Sequence, residues 1–102
     1  MNKLIDDVQL ERVADVLKAV AHPVRLRIVE FLEGGEKSVT EIQACLGITQ
    51  SLTSQHLGQL RVRGVLQARK EGNVVQYSIA NPSVTKVIHC IRDSSPEAKR
   101  NN

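Results

Sequence analysis

GITQSLTSQHLGQLR, Gly47 to Arg61, has the leucine spacing of a helix and almost none of the charge that a solvated helix carries. Gly47 can take the left-handed conformation that ends a preceding helix, and Thr49 can cap the next one, which runs to about Arg63 before Gly64 stops it. Upstream, Ser38-Val39-Thr40-Glu41 is a capping-box pattern, in which the serine hydroxyl accepts from the amide three residues on and the glutamate reaches back. It opens a short helix with Ile42, Cys45 and Leu46 on one side. Helix, glycine turn and helix within about 25 residues is the helix-turn-helix arrangement.

Outward from that unit, the periodicity changes from 3.6 to 2 beyond Gly64. Leu66, Ala68, Val75, Tyr77 and Ile79 alternate with Gln67, Arg69, Gln76 and Ser78 around the turn Glu71-Gly72-Asn73, which predicts a two-stranded hairpin, a wing. On the N-terminal side, Leu10, Val13, Leu17 and Val20 recur at steps of three and four from about Asp6 to Ala21, an amphipathic helix. Pro23 then suits the first turn of a second helix with Val24, Ile28 and Phe31/Leu32 as its buried stripe, ended by Gly34-Gly35. Asn81-Pro82-Ser83 begins a last helix carrying Val84, Val87, Ile88 and Ile91 on one face. The expectation is a mainly α protein with a β-hairpin, in the order α-α-α-α-β-β-α.

The 102 residues leave room for one domain and one modest core, and 41 % hydrophobic content is ordinary for a globular protein. We expect that domain over residues 1–93, with 94–102 a polar, frayed tail. Charges break the first apolar residues, so no signal peptide is expected. No apolar run approaches the roughly 20 residues of a membrane span, which points to a cytoplasmic protein. Two distant cysteines, Cys45 and Cys90, make no disulfide framework. The net charge of +3 is a weak hint toward polyanions. Its distribution says more: from Ile42 through Lys70 there is no Asp or Glu, while Arg61, Arg63, Arg69 and Lys70 fall there. A phosphate backbone requires such a stretch.

On a wheel of about 100° per residue, Leu52, His56, Leu57 and Leu60 share an arc of about 140°, the expected inward face of the fourth helix. The opposite arc holds Ser51, Ser54, Gln55 and Gly58, with Gln50 and Arg61 at its edges. Glutamine can donate and accept in pairs to adenine, serine addresses several base edges, and glycine permits close approach. Flanked by Arg61, Arg63 and a basic hairpin, the stretch reads as a recognition helix for the major groove of double-stranded DNA.

The same residues carry a family resemblance. Leu17-Lys18-Ala19-Val20-Ala21-His22-Pro23-Val24-Arg25-Leu26-Arg27-Ile28, Gln50 to Leu57 with Leu60-Arg61, and Arg69-Lys70-Glu71-Gly72 leading to Val75-Gln76-Tyr77 resemble the ArsR/SmtB repressors of bacteria and archaea. The likeness runs from about Leu10 to Ile91. It implies a winged-helix homodimer that blocks transcription and leaves DNA when an inducer binds. The implied dimer interface is formed by the terminal helices, whose stripes are Leu10, Val13 and Leu17, and Val84, Val87, Ile88 and Ile91. Carried over to this chain, Gln50, Ser51, Ser54 and His56 match the family's DNA-facing pattern, and Arg69, Lys70 and Asn73 fall at the wing. His56 has two readings, a buried hydrogen-bonded histidine or one that also reaches DNA.

Many such repressors sense metals, and neither ligand set that the resemblance implies is present. Ser38, Thr40 and Glu41 stand in place of the thiolate site. Asn81 and Ser83, with Ser94 and Glu97, stand in place of the site on the last helix. Sulfur-sensing relatives carry cysteines where Glu30 stands and near Pro96, so that pair is missing too. No metal or cofactor is expected, although a cross-dimer site using His89, Cys90 and His22 stays open. Cys45 reads first as a buried structural thiol and, alternatively, as a thiol sensor like Cys90. Cys90 reads either as packing or as a thiol sensor, bonding across the two-fold to its own copy.

With one Tyr, three scattered His, no paired carboxylates on a common element and no glycine-rich phosphate loop, no catalytic set can be assembled. The competing non-enzymatic reading is a winged-helix protein-interaction module without DNA binding. Carboxylates on the exposed arc or the hairpin tip would favour it, and only Glu71 lies there.

Overall fold

The computed structural model describes residues 4–94; most of the expected tail, 95–102, lies outside them. Five helices and a small sheet follow in the order α1 (Asp7–Val20), α2 (Pro23–Leu32), β1 (Lys37–Ser38), α3 (Val39–Leu46), α4 (Gln50–Val62), β2 (Leu66–Glu71), β3 (Val74–Ile79) and α5 (Ser83–Asp93). None of the described helices is long and apolar enough to cross a membrane.

Local chemistry sets the boundaries. Asp6 caps α1 by accepting from the amide of Gln9 at 2.9 Å. His22 caps α2 through Nδ1, which accepts from the amide of Val24 at 3.1 Å, with Pro23 supplying a preset first turn. The Ser38–Glu41 capping box is complete, with reciprocal bonds of 3.1 and 2.9 Å. Its backbone bond and serine hydroxyl hold the Glu41 carboxyl below the usual carboxylate range. Gly47 closes α3 at φ +69°, a conformation that would strain any side chain, and so turns the chain into α4.

The sheet has three strands in the order β1-β3-β2, not the two of the expected hairpin. Lys37 and Ser38 pair with Tyr77 and Gln76, a bridge too short to show any alternation in sequence. The wing pairs from Leu66 opposite Ile79 to Glu71 opposite Val74, so Glu71, expected in the turn, closes β2 and the turn narrows to Gly72, at φ +62°, and Asn73.

The core lies where α2, α3, α4 and α5 meet the base of the wing. Ile28, Ile42, Leu57, Leu60, Val65 and Val84 are fully buried there. This core overturns part of the expected dimer stripe: Val84 and Ile88 face their own protomer, because α5 lies along α2 and must fill that space first. Leu10, Val13 and Leu17 remain exposed on α1, as does Ile91 on α5, while Val87 is half-buried. The inner side of α1 is supplied by Ala19 and Val20.

Candidate nucleic-acid interface

The four buried side chains of α4 are Thr53, His56, Leu57 and Leu60. Leu52, expected inside, is 41 % exposed, and Thr53 takes its place at no exposure. The arc explains the exchange: Thr53 lies angularly between Leu57 and Leu60, while Leu52 lies at the edge. The threonine hydroxyl loses nothing by burial, because it donates to the carbonyl of Thr49 at 2.8 Å one turn back. Its methyl then packs as a valine's would.

Opposite this face, Ser51, Ser54, Gln55 and Gly58 are exposed together, as are Gln50 and Gln59. The centre of the outward arc falls between Ser51 and Gln55. Arg61 and Arg63 close the helix, both exposed, and among the described residues neither has a carboxylate partner. The outward arc therefore offers hydrogen-bonding groups without net charge, ends on the apolar Val62, 80 % exposed, and has two unpaired cations at its C-terminal end.

His56 is 7 % exposed, on the inner side of α4, as the first of its two readings expected. Its Nδ1 accepts from Arg25 Nε at 3.1 Å, and its ring lies 4.7 Å from that of His22, centroid to centroid. Arg25 also donates from Nη1 to the carbonyl of Ala19 at 3.1 Å. One guanidinium thus joins the end of α1 to the back of α4. Burial first, then the nearby His22 and Arg25, holds the His56 pKa below the ordinary imidazole value. The acceptor role at Nδ1 requires the neutral ring. Nothing in the sequence marks Arg25 for this role, since its partner is 31 positions away.

The wing differs from the sequence picture of an acid-free patch. Arg69 is held by both oxygens of Glu36, at 2.7 and 3.0 Å, and approached by Glu71 at 3.4 Å. Glu36 lies just before β1, so folding brings it to a strand it does not neighbour in sequence. The hydrogen bonds that Arg69 donates to Glu36 lower the Glu36 pKa and raise that of Arg69. Lys70 and Asn73 are exposed near the tip, and Lys70 has no carboxylate partner among the described residues.

Both cysteines are free and exposed. For Cys45 this corrects the expected burial: Val39, Ile42 and Leu46 define the inner side of α3, and Cys45 falls about 90° away from its centre. Cys90 sits on α5 beside Val87 and Ile91. Its neighbour His89 turns to Glu33, 2.8 Å away at the end of α2, where Arg92 donates to the other carboxylate oxygen at 3.0 Å. Among the described residues no three of His, Cys, Asp and Glu converge as a metal would require.

Comparison with known proteins accords with this arrangement. Residues 22–68 match the model of the bacterial regulatory proteins of the arsR family, a span that contains α2, α3, α4 and the start of the wing. The transcriptional repressor PagR of Bacillus anthracis is 41 % identical over 85 residues, 82 % of this chain and 85 % of PagR. Its crystal structure superposes with a TM-score of 0.77 at 39 % identity, over 84 % of this chain and 99 % of that one. An HTH-type transcriptional regulator of Mycobacterium tuberculosis is 41 % identical over 80 residues, 78 % of this chain and 70 % of its own length. A homodimeric winged helix-turn-helix DNA-binding domain from Mycobacterium bovis gives a TM-score of 0.80 at 30 % identity, covering 100 % of this chain and 96 % of that domain. Helix order, wing, outward polar arc and these similarities agree: the chain belongs to the arsR family of bacterial regulatory proteins.

Proposed function

We propose that the chain is a sequence-specific transcriptional repressor, acting as a homodimer that sets two copies of α4 into successive major grooves of a pseudo-palindromic operator. In such an arrangement the half-sites are about one helical turn apart. Gln50, Ser51, Ser54 and Gln55 address base edges, while Arg61, Arg63 and Lys70 grip phosphates and Asn73 lies beside the backbone at the wing tip. The observation that carries the reading is the outward arc of α4, uncharged and small, with unpaired cations at its end. A protein-interaction module would be expected to carry carboxylates there, and the arc has none.

Dimerisation is supported by the exposed apolar side chains of α1, Leu10, Val13 and Leu17, together with Ile91 of α5. A contiguous apolar face of this kind marks an interaction surface. The M. bovis domain is a homodimer of the same fold, and PagR is a repressor by name. An inducing signal of unassigned chemistry would release the operator.

Selection from random duplex DNA tests the reading. The expected result is an enriched inverted repeat, bound by a species of twice the protomer mass in light scattering. Recovery of no preferred sequence would overturn it.

A further inference from the structure

We propose that Leu52 reads the 5-methyl group of a thymine in each half-site, an inference that rests on the operator binding above. Leu52 belongs to the first turn of α4, the end of a recognition helix whose residues meet base edges. Its amide donates to Thr49 Oγ1 at 3.1 Å, so the cap itself fixes the backbone from which the side chain projects. The side chain is 41 % exposed; Gln55, one turn on along the same side, is exposed, as is the preceding Ser51. A leucine among serine and glutamine side chains gains nothing from water. The major-groove edge of B-DNA presents one apolar group, the thymine methyl. That methyl lies on the side of the base nearer its own backbone, where the flank of the reading arc passes rather than its centre. Leu52 is at the flank, about 90° from the outward centre, whereas Ser51 and Gln55 are close to it. Val62, 80 % exposed, is at the opposite end of the helix, beyond the turns that enter the groove first. The division of labour is then chemical: Gln55 and the serines bond to polar base edges, and Leu52 withholds a methyl from water.

The test replaces each thymine of the selected operator in turn by deoxyuridine, which removes only the methyl, and measures affinity for the parent, Leu52→Met, Leu52→Ala and Leu52→Gln. At one thymine per half-site the parent and Leu52→Met should each lose about fourfold, the scale of one methyl group no longer buried. Leu52→Ala and Leu52→Gln should bind the uridine and thymine duplexes equally well. Two polar or shortened variants are included so that a folding defect in one, seen as an early thermal melt, leaves the other to decide. If every uridine substitution affects the parent and the folded variant alike, Leu52 reads no methyl. A parent that enriches no sequence at all overturns the operator reading instead, and the two failures are distinct.

Discussion

The fourth helix and the wing look alike in the sequence, two parts of one carboxylate-free stretch from Ile42 to Lys70, but folding treats them differently. The outward arc of α4 keeps what the sequence promised, with Arg61 and Arg63 unpaired among the described residues. On the wing, Glu36 and Glu71 arrive from outside the stretch and occupy Arg69. A run without acids along the chain is free of acids in space only where the neighbouring elements also lack them. Under the operator binding proposed above, the helix therefore discriminates sequence, and the wing contributes less cationic grip than its residue count implies.

The largest contrast should come from Gln55→Ala against Arg69→Ala. Losing a paired base contact costs about 1–3 kcal/mol of discrimination, roughly fivefold to 150-fold in affinity for the selected operator over random DNA. Arg69→Ala should leave that ratio unchanged. Gel shifts with both duplexes measure it, and a Gln55→Ala protein that discriminates as well as the parent would place the reading face elsewhere.

Gly58→Ala separates stability from binding on the same helix. A Cβ built there meets nothing within 4 Å, so no contact inside the protein requires glycine. Mid-helix glycine costs about 1 kcal/mol relative to alanine. The alanine variant should melt at a higher temperature and bind the operator more weakly, because the added methyl occupies the space into which DNA approaches. A variant that is more stable and binds unchanged would show that DNA stays clear of that turn.

Acid should reach the two regions at different pH. His56 has a depressed folded pKa, so the unfolded chain takes up its proton first; the stability it contributes is intact above about 6.5 and lost as pH falls through the depressed value. Glu36, lowered by Arg69, keeps its contribution above the ordinary carboxylate value and loses it only at more acidic pH. Between pH 7.5 and 5.5 the melting temperature of the parent should fall more than that of His56→Asn, whose amide oxygen can stand where Nδ1 accepts from Arg25. Equal slopes for the two proteins would mean that protonation of His56 is not linked to folding over this range.

These contrasts also mark how far the sequence could be read. Caps, glycine stops and periodicity located every helix and the wing, because Ser38, Thr49, Gly47 and Gly72 act on their immediate neighbours. What escaped was set by distant partners. β1 has two residues and exists only through its pairing with β3. Thr53 is the local exception, a polar residue whose burial follows from a hydroxyl satisfied by its own helix. Val84 and Ile88 show the same apolar spacing whether they meet α2 or a second protomer, and only packing tells which. Cys45 shares a loose apolar arc with Ile42 yet lies outside the sector that α2 and α4 can cover.

The smallest expected effect compares adjacent residues of the wing. Each phosphate contact made by a lysine or arginine contributes about one unit to the slope of log affinity against log salt. Lys70, unpaired, should lose close to that unit when changed to alanine. Arg69 already has its charge offset by Glu36 and Glu71, and a guanidinium bound by both oxygens of a carboxylate releases few counterions when DNA arrives. Arg69→Ala should therefore change the slope by a fraction of the Lys70→Ala effect, while Glu36→Gln, which leaves Arg69 only the weaker partner Glu71, should steepen it. Were Arg69→Ala to flatten the slope as much as Lys70→Ala, the ion pair with Glu36 would have to open on DNA, and the wing would regain the cationic role that its sequence suggests.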